Sequence, residues 1–65
     1  MVQGWGERRL IAHVLYALAQ VREHQGAMGQ ARELTMQSLD LYQRMGIEDY
    51  IQKAEELVSR LTPPG

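Results

Sequence analysis

The sequence predicts an all-α fold, a three-helix arrangement of a helical hairpin plus a C-terminal capping helix, and three observations carry that expectation. Apolar residues recur at three- and four-residue spacings along most of the chain and nowhere alternate with period two. Two glycines, Gly26 and Gly46, divide this pattern into three stretches. Paired prolines, Pro63 and Pro64, end the last of them.

The first helix is predicted over 7–25, where Leu10, Ile11, Val14, Leu15, Ala17, Leu18 and Val21 share one side. At 100° per residue they cover an arc of roughly 160°, more with Ala12 and Ala19 added, and a face that wide meets more than one neighbour. A second helix is expected over 28–45, its inner side carrying Met28, Ala31, Leu34, Thr35, Ser38, Leu39, Leu41, Tyr42 and Met45. The small residues Ala31 and Ser38 stand in the middle of that side and allow another helix close to the backbone. Asp40 and Arg44, four apart in the favourable order, add helix support.

The third helix is expected over 47–61, with Glu48 and Asp49 in its first turn to suit the positive end of the helix dipole. Its apolar residues, Ile47, Tyr50, Ile51, Ala54, Leu57, Val58 and Leu61, fall within about 120°, and the rest of its surface is polar. That is the profile of a closing layer. Residues 1–6 read as a lead-in and 62–65 as a tail of one domain spanning 1–65.

A domain of 65 residues buries only about 60% of its unfolded surface. Its core supplies roughly 3 to 5 kcal/mol, so association with another surface is expected to contribute to stability. The absence of cysteine excludes disulfides and thiolate chemistry. No apolar run approaches the roughly 20 residues of a membrane span, so no membrane association is expected and the chain reads as cytoplasmic. Seven basic against eight acidic residues, interleaved, argue against nucleic acid as a partner, because phosphate binding needs clustered positive charge.

The third helix repeats the first at an offset of 40 residues, pairing Gly6 with Gly46, Ile11 with Ile51, Val14 with Ala54, Leu18 with Val58 and Val21 with Leu61. On Gly6-Glu7-Arg8-Arg9-Leu10-Ile11-Ala12, Leu15, Leu18-Ala19, Gly26, Ala31, Ser38-Leu39, Leu41 and Gly46, the chain resembles the tetratricopeptide repeat family, in its longer-period bacterial form. The resemblance covers about residues 6–61 and implies one repeat followed by the first helix of a second. Such repeats need about three copies to bury a continuous core. A surface that covers helix one is therefore expected.

Two candidate surfaces follow. The family's peptide groove maps onto His13, Tyr16, Gln20, Glu23 and His24, which the helical wheel also gathers into one stripe about 100° wide. Trp5, Leu10, Val14, Ala17 and Val21 form the second, an apolar face suited to homodimer or higher homo-oligomer formation. His13 and His24 lie about 16 Å apart along the helix and cannot share one metal within the chain. No constellation activates a nucleophile and no glycine loop cradles phosphate, so neither an enzyme nor a cofactor is expected. The leading expectation is a protein or peptide interaction module. Its rival is a closing fragment of a longer repeat array with no ligand of its own; a DNA-binding helical domain is disfavoured by the missing row of Arg and Lys.

Overall fold

A computed structural model describes residues 5–62, and side chains from Gly6 onward. The described chain is all-α, with α1 at Trp5–His24, α2 at Met28–Met45 and α3 at Glu48–Leu61. Compared with the sequence expectation, α1 begins earlier and stops one residue sooner, α2 has the expected bounds, and α3 starts one residue later. Of the expected lead-in 1–6, residues 5 and 6 belong to α1 instead, while residues 1–4, the side chain of Trp5 and residues 63–65 of the expected tail 62–65 lie outside the described residues.

Each helix stops at a glycine or an extended residue for an identifiable reason. Gly26 adopts φ +82° and Gly46 φ +73°, the left-handed region that a side chain strains. Beyond α1, Ala27 N–H donates to the Arg22 carbonyl at 2.9 Å and Gly26 N–H to that of Glu23 at 3.0 Å. Beyond α2, Ile47 N–H donates to the Tyr42 carbonyl and Gly46 N–H to that of Gln43, both at 3.2 Å. Both ends are Schellman turns, which satisfy carbonyls that a helix end leaves open. The second is reinforced because Ile47 packs against the cluster containing Tyr42.

An added Cβ at Gly46 would meet no atom within 4 Å. The cost of Gly46→Ala is therefore conformational alone, about 1 to 2 kcal/mol. For a domain of this size we expect the melting midpoint to drop by roughly 4 to 8 °C per kcal/mol, read by circular dichroism. An unchanged midpoint would contradict the left-handed turn.

Helix α2 is central, and both α1 and α3 pack against it. Ala31, Thr35, Ser38 and Tyr42 are its buried residues. The two hydroxyls need no outside partner: Thr35 Oγ1 donates to the Ala31 carbonyl at 2.7 Å and Ser38 Oγ to that of Thr35 at 2.8 Å. One cluster joins Ala19, Ala31, Leu57 and Leu61, and a second joins Ala12, Tyr42 and Ala54. Tyr16 packs against both. The backbone extends over 45 × 20 × 13 Å, the shortest direction being about what two packed helix layers span.

Helix α1 meets its neighbours through an unexpected side. Ala12 and Ala19, seven residues apart and so on one line of the helix, are fully buried. Of the larger apolar residues in the expected 160° arc, Leu15 alone is half-buried, while Leu10, Ile11, Val14, Leu18 and Val21 are exposed. The seam thus runs along the edge of the apolar arc, where alanines let the helix axes approach closely.

Candidate interaction surface

Five large apolar side chains stand open along α1: Leu10 at 63% exposure, Ile11 at 51%, Val14 at 48%, Leu18 at 41% and Val21 at 47%. Ala17 is exposed among them. Four of the five residues expected in the association face, Leu10, Val14, Ala17 and Val21, therefore lie on open surface; the fifth, Trp5, has no described side chain. Ile11 and Leu18 belong to the same open side, having been assigned by the sequence pattern to the helix's packing arc. Met28 and Met36 of α2 are exposed to a similar degree.

The polar stripe is divided rather than open. His13, Tyr16 and Glu23 are half-buried, while Gln20 and His24 are exposed. The Tyr42 hydroxyl and His13 Nδ1 share a hydrogen bond of 2.8 Å. The ring of His13 also meets Tyr50 edge-on, with centroids 4.7 Å apart, and Tyr42 and Tyr50 stack at 5.1 Å. One residue from each helix thus forms an aromatic junction, with ring spacings and tilts of the favourable kind. A peptide lying along the expected stripe would have to displace these contacts, so the five residues do not make one continuous groove.

Glu23 is engaged as well. Arg60 of α3 donates to it through Nε at 3.0 Å and through a terminal nitrogen at 2.9 Å, a bidentate pair that ties the end of α1 to the end of α3. The hydrogen bond from Arg60, aided by the charge of the guanidinium, holds the Glu23 carboxyl below its ordinary range. A depressed carboxylate pKa adds stability above the unfolded value, and this is lost as pH falls through the folded one. Arg60→Gln is therefore expected to lower the melting midpoint near neutrality, with the gap closing as the solution is acidified below the ordinary carboxylate range. A gap that persisted in acid would assign Arg60 a packing role instead.

Burial raises the Tyr42 phenol above its ordinary pKa, with smaller contributions from Tyr50 and Tyr16. The hydroxyl therefore stays neutral through the physiological range. Its stabilisation is complete below the unfolded phenol's pKa and is lost as pH rises through the folded one.

Among the described residues there is no group of three His, Cys, Asp or Glu side chains placed to hold a metal ion. No described helix is long and apolar enough to cross a membrane. A depression beside the first turn of α3, about 330 Å³, is lined by Glu48, Asp49, Ile51 and Gln52.

Sequence reasoning found the open side of α1 but missed the junction. The junction joins His13, Tyr42 and Tyr50 from three separate helices, and no local sequence pattern links them. No family model, curated protein or solved structure matches the chain. The tetratricopeptide resemblance accordingly rests on the residues quoted for it.

Proposed function

We propose that this chain is a helical interaction module of tetratricopeptide type, non-catalytic and cytoplasmic, that works by docking the outer face of α1 onto another apolar helical surface. The exposed row Leu10, Ile11, Val14, Leu18 and Val21 carries the proposal. Contiguous apolar surface of this kind in a folded domain marks an interaction site. Polar residues border it at Gln20 and His24, supplying the rim that interfaces commonly have.

Covering five side chains that are already about half buried gains roughly 1 kcal/mol each, with a similar return from the partner. Set against at least about 4 kcal/mol for lost rigid-body freedom, the balance corresponds to a dissociation constant of about 40 μM to 1 mM. Association is thus reversible and concentration-dependent. Light scattering behind size-exclusion chromatography across that range, combined with binding of an apolar-surface dye, tests the reading. A mass rising with concentration, or a monomer that takes up dye, supports it; a monomer that takes up none overturns it.

A second reading, the closing fragment of a longer repeat array, is favoured by α3. Its exposed positions, from Glu48 and Asp49 through Gln52, Lys53, Glu55, Glu56, Ser59 and Arg60, are all polar, as a terminal layer requires. The outer face of α1 would then meet the preceding repeat.

A further inference from the structure

We infer that the surface covering α1 is a second copy of this chain, its α1 lying antiparallel to the first across a two-fold axis. The inference rests on the association role proposed above and adds the occupant and its orientation.

Large apolar side chains exposed among the described residues are confined to α1, with Met28 and Met36 on α2. The outward side of α3 offers none, and seating the α1 row there would bury Lys53, Glu55 or Glu56 without partners. A head-to-tail contact needs two different complementary patches; a two-fold contact needs one patch that matches itself. The described surface of α3 supplies no second patch. The five large side chains of the α1 row, each about half exposed, leave on the order of 400 Å² open, within the range of the largest patch on an ordinary monomer. That is about half of the roughly 800 Å² per partner in a standard interface, as suits the weak, concentration-dependent pairing derived above.

The direction follows from spacing. Leu10, Val14, Ala17 and Val21 are separated by four, three and four residues, a series that reads the same from either end. An antiparallel pair therefore sets Leu10 against Val21 and Val14 against Ala17, large against small, as close packing prefers. It also places Glu7 opposite His24 at both ends and opposes the helix dipoles. A parallel pair would stack Ala17 on Ala17, leaving a gap, and would bring Glu7 against Glu7.

The chain contains no cysteine, so introduced thiols report cleanly. Leu10→Cys and Val21→Cys variants are to be oxidised separately and as an equal mixture, at concentrations where scattering shows association. We expect the mixture to form disulfide-linked dimer at least about tenfold faster than either variant alone, since a disulfide needs Cα atoms about 4.4 to 6.8 Å apart. Rapid linking of Leu10→Cys to itself would establish a parallel pair and overturn the orientation. A chain that stays monomeric and unlinked throughout, yet binds the apolar dye, would overturn the second copy while leaving the association role standing.

Discussion

Tyr42→Ala is expected to leave the chain without a cooperative unfolding transition at 25 °C. Tyr42 is the largest fully buried side chain, sits in the Ala12 and Ala54 cluster, and carries the hydroxyl that bonds His13. Removing a buried aromatic ring costs about 3 to 5 kcal/mol through lost transfer energy and the cavity left behind. A core of this size supplies roughly that amount in total. Tyr42→Phe separates the two contributions. It keeps the ring and its stacking on Tyr50 but leaves His13 Nδ1 without the phenol, at a cost of about 1 to 2 kcal/mol. Urea titration followed by far-ultraviolet circular dichroism should show a lowered midpoint for the phenylalanine variant and no folded baseline for the alanine variant. A folded baseline for Tyr42→Ala would mean that the three-helix junction is not where the stability resides.

The helices were legible in the sequence because their determinants are local. Gly26 and Gly46 mark left-handed turns, Glu48 and Asp49 open α3, and the apolar period sets each phase. For α2 and α3 the buried side was legible too: Ala31, Ser38 and Tyr42, then Ala54, Leu57 and Leu61, all fall on the expected faces. Helix α1 departed from this because pattern reading weighs side-chain size, whereas its seam is set by how closely helices approach. Ala12 and Ala19 contribute little apolar area themselves, yet they let Tyr16 reach both clusters. The same choice places His13 and Glu23 on the inward edge. There each acquires a partner, Tyr42 and Arg60, from residues 29 and 37 positions away. Partnerships at that separation leave no trace in a helical wheel.

The second large effect comes from placing the same charge in two different surroundings. Val14→Asp combined with Leu18→Asp is expected to weaken association at least about 100-fold while the far-ultraviolet spectrum and urea midpoint of the isolated chain stay nearly unchanged. Both residues are roughly half exposed, at 48% and 41%, so the new carboxylates remain hydrated in the monomer. In an associated state each would leave water against an apolar surface, and about 2.7 kcal/mol of lost stabilisation is enough for a hundredfold change. Leu57→Asp alters the same chemistry at a side chain only 2% exposed, within the cluster of Ala19, Ala31 and Leu61. A buried unpaired charge cannot be accommodated there, and the monomer itself should unfold. Those two outcomes together would divide the aliphatic residues of α1 and α3 by role, with Leu57 holding the fold and the outer row on α1 free for association. If Val14→Asp with Leu18→Asp instead unfolded the chain as Leu57→Asp does, that row would belong to the core and the proposed association face would be lost.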